Sequence, residues 1–365
     1  MKTFLLILAS VLAIRAQAVD ATFLNGRYHF VQLAIVASET GQPIQTQNIG
    51  GDILFDGAGA YRLSARRGFG SAAAEPFDSI GTYKVLPDGL IALTSPADTA
   101  VRLNARLGAN GAVLIGSATE GGNYVRDMFV GVRASDWKDG APETHLSGRY
   151  AGASFLLPDG TIDGLATAFV EVTADGAGRL LSVIASGQAS NNKNLTVRQT
   201  IADAKYSLQA DGAGSTAFAD SGTLFGGSRE IFVSPDGEIL LGFSTDAGRR
   251  EILLAVRRPS PSSLADWKGN WWVSELLADN EIAGAVRLEA PLGSLETDGV
   301  GVVRLSQRLS GGEQWRDVTA VNYARQDDDG GAQLGPVLEE GRSNLALGST
   351  AFVSPSSSQN RPNLG

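Results

Sequence analysis

The feature that most constrains this chain is a repeat of about 120 residues that runs through it three times. Leu24-Asn25-Gly26-Arg27-Tyr28 returns as Leu146-Ser147-Gly148-Arg149-Tyr150, and again as Trp267-Lys268-Gly269-Asn270-Trp271. The three glycines stand 122 and 121 residues apart. An Asp-Gly-x-Gly turn follows each, at Asp56–Gly59, Asp175–Gly178 and Asp298–Gly301. Tyr83, Tyr206 and Tyr323 then precede Asp88, Asp211 and Asp328 by the same five positions. The first two copies close on Arg126-Asp127-Met128-Phe129-Val130-Gly131-Val132-Arg133 and Arg250-Glu251-Ile252-Leu253-Leu254-Ala255-Val256-Arg257. Landmarks in constant order at a fixed period mark one structural unit used repeatedly.

Within a copy the texture is short apolar runs broken by Asp-Gly and Asn-Gly, which predicts hairpins in an all-β fold. The first copy holds eight such runs, near 27–37, 50–55, 60–66, 80–86, 89–95, 100–107, 111–118 and 124–133. Eight antiparallel strands suit a small up-and-down barrel, with a two-sheet sandwich as the alternative. Connections two, four and six are tight turns, while one, three and five are longer, at 38–49, 67–79 and 96–99. The second copy agrees, with long segments at 158–164, 186–199 and 219–228. In a meander, alternate connections lie at alternate ends. Each module is therefore expected to have a closed end and a looped end, with recognition sought at the looped end. Leu63, Val85, Leu103 and Leu114 are expected to face inward.

The expected division is a signal peptide over 1–18, modules at 22–134, 145–258 and 266–353, and a disordered tail at 354–365. Lys2, the apolar run Phe4–Ile14 and Ala16-Gln17-Ala18 have the order of a cleaved leader. Arg15 interrupts the apolar run before it reaches the roughly 20 residues of a membrane span. No span is expected after leader removal, so the chain is read as exported, periplasmic or extracellular. The third module reads as shortened, with Asn344–Gly348 as its seventh strand and no closing strand after it.

The chain has no cysteine, which removes disulfides and thiolate chemistry. Its net charge of −9 becomes −9 − 2 = −11 without Lys2 and Arg15. With no basic stripe, nucleic acid is excluded as a partner. There is no Gly-x-Ser-x-Gly elbow, His-Glu-x-x-His pair or phosphate loop. His29, in the first strand, and His145, in a linker, have no counterparts in the sister copies and read as surface or hydrogen-bonded residues. Asp56, Asp88, Asp175, Asp211, Asp236 and Asp298 read as turn formers. Asp327-Asp328-Asp329-Gly330 and Glu339-Glu340 read as solvated acids rather than calcium ligands. Trp137 and Trp267 are placed at module junctions, and Trp271, Trp272 and Trp315 in a local core. No catalytic residue, metal ligand or cofactor is assigned, and the ligand-binding residues are left open.

These landmarks resemble those of large exported bacterial proteins of unknown function that carry tandem copies of such a module, usually ahead of a conserved C-terminal domain. The resemblance spans about residues 22–350 and implies an exported β-repeat architecture without an established activity. The C-terminal domain of those proteins has no counterpart in this sequence. A looser resemblance is to lipocalin-like barrels, which open on Gly-x-Trp and place an arginine from the last strand on that aromatic. Tyr28, Tyr150 and Trp271 hold the aromatic position here, and Arg133 and Arg257 the last strands.

The leading expectation is a non-enzymatic repeat protein with a surface, matrix or structural role, its partner a cell-envelope glycan or protein. A carrier of small apolar ligands inside the barrels is the alternative, and a carboxylate-based hydrolase the third reading.

Overall fold

The computed structural model describes residues 12–15, 24–37, 43–87, 89–108, 111–118, 125–161, 164–189, 197–218, 224–258, 269–274, 276–282, 285–290, 292–298, 300, 302–308, 315–326, 331–334 and 349–351. Strand β1 (Leu12–Arg15) comes first. The first module is then β2 (Asn25–Ala37), β3 (Pro43–Asp56), β4 (Ala60–Phe69), β5 (Glu75–Val85), β6 (Ile91–Thr94), β7 (Arg102–Gly108), β8 (Val113–Ser117) and β9 (Val125–Arg133). The second is β10 (Ser147–Pro158), β11 (Ala166–Asp175), β12 (Arg179–Ala189), β13 (Val197–Leu208), β14 (Ala213–Phe218), β15 (Gly227–Val233), β16 (Ile239–Ser244) and β17 (Arg249–Arg257). Each set pairs in sequence order and closes last strand to first, forming an eight-stranded antiparallel barrel. The barrel expectation holds, and the sandwich is set aside.

Turn chemistry explains the closed ends. The Asp56 carboxylate accepts hydrogen bonds from the amides of Ala58 (2.7 Å) and Ala60 (2.9 Å), and Asp175 does the same for Ala177 and Arg179. Gly57 and Gly59 take φ of 73° and 111°, values that side chains resist. Asp211, Asp236 and Asp298 also accept from amides two residues on. Asp88 lies outside the described residues.

The sheet runs further toward the looped end than the apolar runs indicated. Strand β3 begins at Pro43 rather than near 50, and β4 continues to Phe69. Polar residues such as Asn48 belong to the sheet because the second barrel covers that face: Asn48 Nδ2 donates to Ser244 O at 2.8 Å.

The first barrel is filled from its closed end. Tyr28, Phe55, Tyr61 and Tyr83 meet edge-on, with ring centroids 5.2 to 5.9 Å apart, and Phe30 stacks on Phe129. Leu63, Leu103 and Leu114 are buried among them, and Val85 packs alongside. Tyr28 Oη donates to Gly111 O at 2.6 Å, and Arg133 lies over the Tyr28 ring while donating to its hydroxyl. Tyr150, Gly237 and Arg257 repeat the arrangement in the second barrel. The aromatic and the last-strand arginine thus meet in both barrels.

The barrels share a second apolar core between them. Val31, Leu33 and Ile35 of β2, Val113 and Ile115 of β8, and Met128, Val130 and Val132 of β9 turn outward. They pack with Phe155 and Leu157 of β10, Leu241 and Phe243 of β16, and Ile252 and Leu254 of β17. At the edge of this core His29 is fully buried. Its ring stacks on Phe232 at 4.9 Å, its Nδ1 lies 2.6 Å from Asp52 and its Nε2 2.7 Å from Asp211 O. Burial alone would raise the Asp52 carboxyl, but His29 and Arg27 outweigh it and hold it below its usual range. The linker after β9 contains a 3₁₀ turn, Pro142–His145, and Trp137 stacks on His145 while donating to Pro235 O.

The third module is not a closed barrel among the described residues. It comprises β18 (Gly269–Ser274), a hairpin of β19 (Leu277–Ile282) and β20 (Ala285–Glu289), then β21 (Leu292–Thr297), β22 (Val302–Arg308), β23 (Trp315–Gln326), β24 (Gly331–Leu334) and β25 (Ser349–Ala351). Its sheet runs β1-β18-β21-β22-β23-β24-β25. Asn344–Gly348, expected as the seventh strand, lies outside the described residues. Ser349–Ala351 pairs with β24 and so takes the sixth position. The residues after it, Phe352-Val353-Ser354-Pro355, repeat Phe232-Val233-Ser234-Pro235 at the end of the sixth strand in the second barrel. The module rests on the first barrel, where Arg106 lies over the Trp272 ring at 4.2 Å and Ser117 Oγ donates to Ala290 O at 2.5 Å.

Candidate binding site at the barrel mouths

The shared core holds the two barrels side by side with like ends together. At the closed ends, Arg27 and His29 meet Asp211, which sits in a tight turn of the second barrel. At the looped ends, segment 70–74 of the first barrel interlocks with 245–248 of the second. Ala74 N donates to Thr245 O (3.0 Å) and Gly248 N to Ser71 O (2.9 Å). Arg250 points out of the second barrel and donates to Gly70 O (2.7 Å), Asn48 Oδ1 (3.0 Å) and Ala72 O. Gly68 provides the room for this, since a Cβ there would collide with the guanidinium. Both mouths therefore open on one face of the molecule.

Just inside each mouth lies a carboxyl at the same repeat position, Asp127 on β9 and Glu251 on β17. Both belong to the inward set by strand alternation, two residues before Phe129 and Leu253. Their partners differ. Glu251 is fully buried against Arg229, which donates to both of its oxygens at 2.7 and 2.8 Å, and Ser154 Oγ donates at 2.8 Å. The guanidinium also lies over the Phe225 ring at 3.8 Å. Burial lowers the Arg229 pKa, and Glu251 opposes that shift.

The first barrel has Leu103 where the second has Arg229, as the pairing of Ala105 with Gly116 and Ile231 with Gly242 shows. Asp127 is held by neutral donors, Gln32 Nε2 at 2.6 Å and the Ala118 amide at 2.5 Å. Burial pushes its pKa up to about 6, against the smaller opposing effects of those bonds and of Arg126. Polar contacts continue across the mouth. Gln32 Nε2 also reaches Ser95 Oγ, Ser95 Oγ accepts from Ala97 N, and Gln47 Nε2 donates to Ala97 O. The buried oxygens Gln32 Oε1 and Gln47 Oε1 have no hydrogen-bond partner among the described residues. A buried carbonyl left unpaired is costly, so this mouth offers two acceptors and a titratable carboxyl to a donor group.

Asp127 and Glu251 occupy separate barrels and do not converge on one cleft as a glycosidase pair must. No group of three His, Asp or Glu side chains suited to a metal ion occurs among the described residues. Trp267, the acidic segment 327–330 and Glu339-Glu340 lie outside them, as do the side chains of Trp271 and Trp315. Sequence reasoning treated Asp127 and Glu251 only as repeat landmarks. Their inward parity on an otherwise apolar closing strand was the available signal.

No known protein family profile matches the chain, and no curated protein matches it significantly. Among solved structures it is similar to a protein of unknown function from the DUF3598 family of Nostoc punctiforme PCC 73102. That likeness has 10% identity and a TM-score of 0.21, over 66% of this chain and 100% of that one. A "putative outer membrane protein" from Bacteroides fragilis NCTC 9343 is similar at 11% identity and a TM-score of 0.19, over 65% and 98%. Neither likeness is high enough to bear on what this chain does.

Proposed function

We propose that this is an exported, non-enzymatic binding protein of the bacterial tandem β-repeat kind, which recognises a cell-envelope glycan or protein with its two barrel mouths. The observation that carries this reading is that both looped ends are locked onto one face, each with a buried polar group at its throat. Loops supported by a rigid barrel are the usual place for recognition. The exposed residues Asp98, Thr99 and Ala100 rim the first mouth, and Thr161 the second.

The test is a binding screen of the exported protein against purified envelope polysaccharides and proteins, repeated with Thr99→Trp, Ala100→Lys and Thr161→Trp together. Loss of binding with unchanged melting supports the reading. Retention of full affinity places recognition elsewhere and removes it.

A second reading, a carrier of small apolar ligands, is favoured in the second barrel alone. Ala166, Ala168, Ala185 and Ala189 line its mouth half, where the first barrel has Gln47, Ile49, Ala65 and Phe69. A native mass spectrum showing extra mass that disappears on denaturation, and persists in the mouth variant, would favour the carrier.

A further inference from the structure

In both closed barrels the last strand joins the first in one register. Arg133 stands opposite Tyr28 and Val132 opposite His29; Arg257 stands opposite Tyr150 and Val256 opposite Ala151. In the third module the first strand is β18, and its free side is taken by β1 from the far N-terminus. Arg15 stands opposite Trp271, Ile14 opposite Trp272, Ala13 opposite Val273 and Leu12 opposite Ser274. Trp271 is the repeat equivalent of Tyr28 and Tyr150, so Arg15 holds the position of Arg133 and Arg257. The sequence agrees: Leu12-Ala13-Ile14-Arg15 repeats Leu254-Ala255-Val256-Arg257 with one conservative change, and Val130-Gly131-Val132-Arg133 closely. The match of register and of residue pattern is in the same place three times.

We propose that the free edge of β18 is an acceptor for an eighth strand of pattern apolar-small-apolar-Arg. Leu12–Arg15 of this chain is that strand, covering the edge until the leader is removed on export. The second half of this statement rests on the export reading above; the acceptor itself does not. An unpaired edge presents a row of backbone donors and acceptors, and an added strand satisfies them while its alternate side chains set specificity.

The test uses residues 19–365 and a fluorescent peptide of residues 8–18. Saturable binding by anisotropy is expected, weakened about 3- to 30-fold by Arg15→Ala in the peptide, the range set by cation–aromatic contacts such as those at the equivalent positions Arg133–Tyr28 and Arg257–Tyr150. Because the chain has no cysteine, register can be read directly. A peptide carrying Ala13→Cys should form a disulfide with Val273→Cys protein faster than with Ser274→Cys. Absence of saturable binding, equal affinity of the Arg15→Ala peptide, or equal crosslinking at both positions would overturn the acceptor. The intact mass of the protein exported from the full-length chain tests the leader separately. Retention of residues 12–15 would show the cover to be permanent and remove its release on export, leaving the acceptor register standing.

Discussion

Replacing Arg229 by leucine would give the second barrel the residue that the first carries at the same place, Leu103. The consequence should be severe, because the two acids are held differently. Glu251 would keep Ser154 Oγ at 2.8 Å and a distant Arg249 guanidinium at 3.6 Å, but lose both short bonds to Arg229. Removing one partner of a fully buried pair costs about 3–5 kcal/mol, since the remaining charge stays desolvated. The residual contacts place this case near 3 kcal/mol. For a cooperative unit of this size that is a fall in melting temperature of roughly 6–12 °C. Calorimetric unfolding at pH 7 measures the loss. Arg229→Leu combined with Glu251→Gln should recover at least half of the loss at pH 7. A deficit under about 1 kcal/mol, or no recovery in the double variant, would refute the reasoning.

Asp127 should give the wild-type protein a pH dependence: its folded pKa of about 6 lies above the ordinary 3.8, so stability falls as pH rises from about 4 through 6. Asp127→Asn should remove that slope, worth on the order of 2–3 kcal/mol, in urea unfolding curves taken across the range. Tyr28→Phe deletes the hydroxyl shared by Gly111 O and Arg133 and should cost about 1–2 kcal/mol, read as a shift in the urea midpoint at constant slope. Gly50→Ala would drive a Cβ to 2.1 Å from the Phe243 ring; an overpacking cost of about 1–3 kcal/mol is expected, with broadening or splitting of the calorimetric transition as the barrels uncouple.

Strand pairing and turn chemistry were legible because they are local. Strand β4 alternates exposed and buried side chains as a one-sided strand must, and the Asp-Gly turns fix the hairpins that join such strands. The packing of barrel on barrel was not legible from the same rules. Strands β9, β16 and β17 are buried on both faces and read as unbroken apolar runs, Met128–Val132, Ile239–Leu241 and Ile252–Val256. Such runs signal burial on both sides, but they do not say what covers the second face. His29, read as either a surface or a hydrogen-bonded residue, is the second of these, and its partner Asp211 lies 182 positions away and in the other barrel. The mouth network was hidden for a similar reason: Gln32, Gln47, Ser95 and Asp127 come from three strands and a loop, and only barrel closure brings them together.

The apolar wall between the barrels fixes the distance and angle between the two mouths, with no linker to stretch. For a partner that offers two copies of its epitope, the second contact becomes intramolecular as soon as the first is made, and avidity can exceed either single affinity by about 10²–10⁴. That gain depends on the partner's own repeat length. A polymer whose period matches the separation of the mouths engages both, and one that does not engages a single mouth at its intrinsic affinity. On the proposed reading, a rigid pair of this kind would measure its ligand as well as hold it.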